Sequence, residues 1–281
     1  MNTLVTGGNG FLGTHVRDFF DADDLSRRSG RSILNLQDVK FVSNYDMVIH
    51  LAARMDKSMS SAEETFLTNV EGTVNVLREM RQDAVFVFAS TKDVYGRFAD
   101  NFREVPETCP TLYAGQSPLE WSKLIAERYV EFFAHTKRFR SCIFRLSTVY
   151  APMSEGNTPN FVTAFADAIN KGEPIVLPQN GKPVRDLLHV DDLAKACAAF
   201  ADSGLRHGLY NLGGGPELSL SLAELVKNLE DISGLQAVVA ESSPENAPVP
   251  INYVSDIGLV DRELGWQPEI DLEAGLRTLF G

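Results

Sequence analysis

Eight residues near the N-terminus, Thr6-Gly7-Gly8-Asn9-Gly10-Phe11-Leu12-Gly13, constrain this chain more than any other feature. They follow a short apolar run, Leu4 and Val5, that reads as a first strand. They open a stretch with helical spacing at Phe11, Leu12, Val16, Phe19 and Phe20. A strand that turns through glycines directly into a helix gathers unpaired backbone N–H groups and the positive end of the helix dipole at one point. That point suits a pyrophosphate. Gly7 allows the tight turn, Gly10 the close approach of a phosphate and Gly13 the close packing of helix on strand. Gly7, Gly10, Phe11, Leu12 and Gly13 are therefore the first candidates for holding a dinucleotide.

Beyond this turn, apolar segments alternate with amphipathic ones. Residues 46–51, 84–89 and 142–146 read as buried strands, and 63–81 and 117–135 as helices, the second opened by Ser117-Pro118. Short apolar strands separated by helices predict an α/β fold: a Rossmann-type doubly wound parallel sheet, with ligands at the carboxyl ends of its strands. After Tyr150 prolines break the pattern, at 152, 159, 174, 178 and 183 and again at 244, 248 and 250. The expected division is a dinucleotide-binding domain over 1–152, with 184–212 packing back onto it. A smaller C-terminal substrate-binding lobe is expected from 153–183 and 213–281.

The chain of 281 residues has a net charge of −12, which argues against nucleic acid or an anionic membrane surface as its main partner. No apolar run approaches the ~20 residues of a membrane helix. The opening residues read as a strand without a basic leader, so no secretory signal is expected and the cytoplasm is the expected location. Cys109, Cys142 and Cys197 lack metal-ligand spacing and read as free thiols in a reducing compartment, and no metal site is expected.

Taken together, these segments resemble the extended short-chain dehydrogenase/reductases, specifically the NAD(P)-dependent nucleotide-sugar epimerase/dehydratase family. The likeness runs through His50-Leu51-Ala52-Ala53 after the family's fourth strand, Asn69-Val70-Glu71-Gly72-Thr73, and Ser90-Thr91-Lys92-Asp93-Val94-Tyr95-Gly96 after its fifth. It continues through Arg145-Leu146, Val149-Tyr150, Arg185-Asp186-Leu187-Leu188-His189-Val190-Asp191-Asp192, Tyr210-Asn211-Leu212-Gly213-Gly214 and Leu264-Gly265-Trp266-Gln267-Pro268. The resemblance implies an enzyme that uses a bound nicotinamide to oxidise or reduce a carbon of a nucleotide-linked sugar. It implies that Leu51, Ala52, Ala53, Asn69 and Lys123 serve the cofactor, that Thr91 binds the reacting oxygen, and that Asn160 and Arg185 hold the sugar nucleotide. For Arg185 the alternative is an ion pair with Asp186. It further implies a homodimer built on the helices at 63–81 and 117–135.

One departure is chemical. The family's segment of the form S-P-Y-x-x-S-K is Ser117-Pro118-Leu119-Glu120-Trp121-Ser122-Lys123 here, so the lysine is kept and the proton-shuttling tyrosine is Leu119. Three readings follow. Tyr113 or Asp93 acts in its place as the catalytic proton carrier; the protein binds its ligands without turnover; or water or substrate supplies the proton. Lys92 and Asp93 stand where sugar dehydratases of the family usually carry Asp and Glu, which ranks epimerase or ketoreductase above dehydratase. Lys92 is otherwise a solvent-facing loop residue.

An NAD site carries an acid ~20 positions after the first glycine, bonded to the ribose. Here that region is Leu25-Ser26-Arg27-Arg28, where a hydroxyl and two guanidinium groups suit the 2′-phosphate of NADP. NAD stays open because the second strand is short and Asp23 or Asp24 could reach the ribose. His189 reads as structural, and Asp191 and Asp192 as caps of the following helix.

Overall fold

The structure, a computed structural model, describes residues 1–111, 117–240 and 249–281. β1 (Thr3–Thr6) is buried along its whole length and runs through the glycine turn into α1 (Phe11–Phe20). After β2 (Asp23–Leu25) the chain makes single helical turns, including α2 (Leu36–Val39), before β3 (Met47–His50). A helical stretch follows as α3 (Ala62–Phe66), a π-helical turn over Leu67–Glu71, and α4 (Gly72–Glu79). Then come β4 (Val85–Thr91), the long helix α5 (Pro118–Lys137) and β5 (Arg140–Leu146). Pro118 opens α5, where its missing N–H costs nothing, and Arg138 closes it in the left-handed region at φ 62°.

The main sheet has the order β2-β1-β3-β4-β5-β9, with β9 at His207–Leu212, and every pairing is parallel. Its central strands β3 and β4 read as largely apolar runs because helices cover both faces. One face packs against Val16 of α1 and against Leu193, Cys197 and Phe200 of α7 (Val190–Asp202). The other packs against Val76 and Leu77 of α4 and Ala126, Val130 and Ala134 of α5. The strand order reverses beside β1, so the crevice at the carboxyl ends of β1 and β3 is the expected ligand position.

The segments read as the family's fourth and fifth strands are the third and fourth of this chain. Between Leu25 and Met47 no strand forms, because Ile33, Val39, Val42 and Tyr45 on short turns cover that side of the core instead. β2, three residues long, is thus the edge of the sheet.

A further three-stranded sheet has the order β10-β8-β6, from β6 (Thr148–Tyr150), β8 (Val184–His189) and β10 (Ser219–Ser221). A two-stranded one joins β7 (Pro174–Val176) and β11 (Val238–Ala240). With α6 (Phe161–Lys171), α8 (Leu222–Ser233) and α10 (Leu272–Arg277), they enclose a separate core around Ile169, Leu187, Leu225 and Leu276. α9 (Gly258–Leu264) instead sends Val260 to the core of the main sheet, where Trp266 joins it. All three cysteines are free and buried. Among the described residues no helix is long and apolar enough to cross a membrane.

Candidate active site

A cavity of about 1280 Å³ opens at the carboxyl ends of the main-sheet strands. That exceeds the roughly 300–1,000 Å³ of a site for one small ligand, so it has room for two ligands end to end. Its lining starts at Gly7, Gly10, Phe11, Leu12 and Gly13, passes Leu51, Ala52 and Ala53, reaches Thr91 and Lys123, and ends at Asn160 and Arg185.

At the first end the backbone is shaped for a diphosphate. Gly7 sits at φ +73°, and a side chain there would meet Ala52 N at 2.8 Å. A Cβ on Gly13 would lie 2.0 Å from Gly7 O, so α1 starts in direct contact with the turn. The N-cap, Gly10, offers no side chain, and no acidic residue stands in the first turn of α1. The helix therefore presents its first N–H groups and its positive dipole end to the cavity. These features fit a dinucleotide. The next loop is fixed from behind: Thr6 Oγ1 bonds His50 Nδ1 at 2.7 Å and accepts Ala52 N at 3.3 Å. Burial pushes the His50 imidazole down to about 3, so it stays neutral and structural.

Asn69 does not line the cavity. The π turn directs its side chain to the backbone of Arg54, accepting N–H at 2.8 Å and donating to the carbonyl at 3.0 Å, and to Ser122 Oγ at 2.9 Å. It ties the loop after β3 to α5. Asp23 and Asp24 also lie off the cavity. Asp23 accepts the Tyr45 hydroxyl at 2.6 Å, and Asp24 sits beneath Gly8 and Asn9, accepting Asn9 Nδ2 at 2.6 Å and Ser26 Oγ at 2.7 Å. Ser26, Arg27, Arg28 and Arg31 line the cavity there. Arg28 donates to Asn9 O at 2.9 Å and to Gly156 O.

In the middle of the cavity, Thr91 ends β4 and Lys123 projects from the second turn of α5. Lys123 Nζ donates to Ala89 O at 2.6 Å and lies 4.9 Å from the centre of the Phe88 ring. Burial pushes its pKa down to about 8, against the opposing pull of Glu127. An unfolded lysine keeps its proton to about 10.4, so between about pH 8 and that value the unfolded chain holds more protons. Stability contributed by this site therefore rises with pH across that window. Urea midpoints measured from about pH 7.5 to about pH 10.5 are expected to show this slope, and Lys123→Met to remove it.

Leu119 is buried and does not face the cavity. Tyr113 lies outside the described residues. Asp93 faces the cavity, held between Lys57 Nζ and Lys92 Nζ, each at 2.6 Å. Burial favours its protonation, but the two ammonium groups outweigh that and hold the carboxyl well below its usual range. It has no proton to give near neutrality and binds one poorly. Lys92 is not solvent-facing: its side chain is 12% exposed. Glu120, which the sequence reading passed over, also lines the cavity, accepting Ser117 Oγ and pairing with Lys57 at 3.0 Å. Its position one residue after the missing tyrosine was the available signal.

At the far end Asn160 caps α6, accepting Thr163 N at 3.2 Å, and donates to Val149 O at 2.6 Å. Arg185 donates to the carbonyls of Val184, Ile251 and Pro250 at 2.6–2.9 Å, which fixes the chain at 250–251 beside the cavity. Asp186 turns away from it to Ser147 Oγ and the N–H groups of Gly215 and Ser255, so the alternative Arg185–Asp186 pair does not form. His189 caps α7 by accepting Asp191 N at 3.2 Å. Asp192 does not cap: its carboxylate takes Glu269 N and Ile270 N at 3.1 and 3.0 Å and pins the C-terminal segment.

The sequence model of the NAD dependent epimerase/dehydratase family matches residues 3–213. CDP-paratose 2-epimerase of Salmonella typhi is 28% identical, the match covering 100% of this chain and 98% of the relative. That alignment spans 335 positions against 281 residues here, so this chain lacks segments the relative has. The crystal structure of the Thermotoga maritima UDP-glucose 4-epimerase with UDP-glucose superposes with a TM-score of 0.85 at 25% identity, covering 99% of this chain and 97% of that one. The Thermus thermophilus UDP-glucose 4-epimerase complex with NAD gives 0.82 at 25% identity, with coverages of 100% and 98%.

Proposed function

Because this chain belongs to the NAD dependent epimerase/dehydratase family, we propose that it is an enzyme transferring hydride at a carbon of a nucleotide-activated sugar, as an epimerase or ketoreductase rather than a dehydratase. One observation carries this reading. A single cavity has a diphosphate-binding turn at one end, Thr91 and Lys123 in the middle, and Asn160 and Arg185 at the other. When bound, the nicotinamide supplies the hydride acceptor and donor. Gly7, Gly10, Phe11, Leu12 and Gly13 hold its diphosphate, Leu51, Ala52 and Ala53 wall it, and Lys123 anchors the neighbouring ribose. Thr91 donates a hydrogen bond to the reacting sugar oxygen. Asn160 and Arg185 bind the sugar nucleotide. The test is to mix the protein with either coenzyme and a panel of nucleotide sugars. Absorbance of reduced nicotinamide and chromatography of the sugars are expected to show turnover. Binding without turnover across the panel would assign the protein to ligand sensing, the reading that Leu119 favours.

NADP is the proposed coenzyme. Ser26, Arg27, Arg28 and Arg31 line the region facing the adenosine ribose, and neither Asp23 nor Asp24 does. A charge-assisted hydrogen bond contributes about 1.5–3 kcal/mol. Replacing both Arg27 and Arg28 with alanine is therefore expected to weaken NADP binding roughly 100-fold or more, with little change for NAD. Equal losses for the two coenzymes in fluorescence titrations would count against the assignment.

A homodimer is proposed on the face formed by α5 and the neighbouring π turn. Leu67, Tyr129 and Phe132 are large apolar side chains exposed there, Phe132 by 60%. Sedimentation is expected to give twice the chain mass for the native protein and a monomer for Phe132→Glu. Three buried free thiols suit a reducing compartment such as the cytoplasm.

A further inference from the structure

Oxidising a sugar hydroxyl releases a proton, and the hydrocarbon at position 119 cannot take it. Between Thr91 and α5 the cavity is lined by Lys57, Lys92, Asp93 and Glu120, which form a chain of alternating charge. Glu120 meets Lys57 at 3.0 Å, Lys57 meets Asp93 at 2.6 Å, and Asp93 meets Lys92 at 2.6 Å. Three of the four are committed. Both Glu120 oxygens are taken, one by Lys57 and one by the Ser117 hydroxyl. Asp93 lies between two ammonium groups, and Lys57 lies between two carboxylates. Lys92 ends the chain, next to Thr91, with Asp93 on one side and the Tyr253 ring on another, its centre 5.2 Å from Nζ.

We propose that Lys92 is the proton carrier at the reacting sugar oxygen, in the role that a tyrosine at position 119 would have filled. This rests on the hydride-transfer reading above. In the oxidative direction the neutral Lys92 amine takes the hydroxyl proton while the C–H electron pair leaves as hydride to the oxidised nicotinamide, and the carbonyl forms. In the reductive direction the Lys92 ammonium returns the proton as hydride comes back to carbon. The groups facing Lys92 come from separate elements: Asp93 from its own loop, Lys57 from the loop after β3, Arg185 from β8, and the Tyr253 phenol from the segment paired with Arg185. Burial works against the ammonium form, Asp93 supports it, and the cations of Arg185 and Lys57 oppose it again; the balance lies below an ordinary lysine. A desolvated lysine beside other cations is an effective base.

Lys92→Arg is the sharpest test, because arginine keeps the positive charge and a partner for Asp93 but does not give up its proton. The variant is expected to fold and to bind coenzyme as the native protein does, and to lose roughly 10²–10⁴-fold in kcat. Activity near the native level would overturn the proposal. A second readout needs no turnover: the pH dependence of Lys92 acylation by an amine reagent, followed by mass spectrometry on the ligand-free protein. A midpoint below the usual ~10.4 supports the assignment, and an ordinary midpoint contradicts it. Should the native protein turn over no nucleotide sugar, the hydride-transfer reading itself fails, and the acylation midpoint still decides the state of Lys92.

Discussion

Arg145→Leu is expected to lower the free energy of unfolding by about 3–5 kcal/mol. The Arg145 side chain is 4% exposed and that of Glu127 is fully buried. Two bonds join them, Nε to Oε1 at 3.1 Å and Nη2 to Oε2 at 2.7 Å. Nη1 adds a bond to the Tyr95 hydroxyl at 3.1 Å, and that hydroxyl donates to Asn211 Oδ1 at 2.6 Å. Ser90, the residue before Thr91, donates to the same Glu127 carboxylate. One guanidinium thus links β5 and α5 to the loop after β4 and, through the Tyr95 hydroxyl, to β9. Removing it strands the Glu127 charge in the core, which is the costly half of breaking a buried pair. Replacing both partners with apolar side chains is expected to recover much of the loss, since no charge is then left unpaired. Urea denaturation of Arg145→Leu, Glu127→Leu and the double variant measures this. A loss below about 1 kcal/mol for Arg145→Leu would show that the core resolvates Glu127 easily.

Gly13→Ala is expected to have the largest effect on ligand binding. The added Cβ would stand 2.0 Å from Gly7 O, 2.8 Å from Gly7 C and 2.9 Å from Gly8 Cα. All three are backbone atoms, with no flexible side chain to give way. α1 must therefore move off the turn, and the N–H groups that converge on one point separate. Losing a backbone hydrogen bond to a charged phosphate costs about 1.5–3 kcal/mol, so coenzyme affinity is expected to fall roughly 10- to 100-fold or more. Forcing extra volume into a packed contact also destabilises, here by about 1–3 kcal/mol. Fluorescence titration reads the first effect and thermal unfolding the second. Unchanged affinity would mean that the turn is not where the diphosphate sits.

The parts legible in the sequence were those set by local pattern. The glycine turn, the apolar runs of β3 to β5 and the Ser117-Pro118 opening of α5 each specify their own structure over a few residues. The parts missed depend on contacts distant in the chain. Asp24 is an acid in β2, near where a ribose ligand would stand, yet only the fold shows its carboxylate taken by Asn9 and Ser26. Asn69 keeps the family's place, but the π turn directs it to Arg54 and Ser122 rather than to the cavity. Lys92 reads as a loop lysine until Lys57, 35 positions earlier, and Arg185 are seen beside it. The absent edge strand was visible only as a shortened segment after Phe20, because single helical turns can cover a core as well as a strand does.

The most direct test of the account is calorimetric titration of the native protein with NADP and NAD, oxidised and reduced. Saturable binding at one site per chain is expected, tighter for NADP and strongly weakened in Gly13→Ala. No heat with either coenzyme in either oxidation state, from protein shown to be folded, would contradict it.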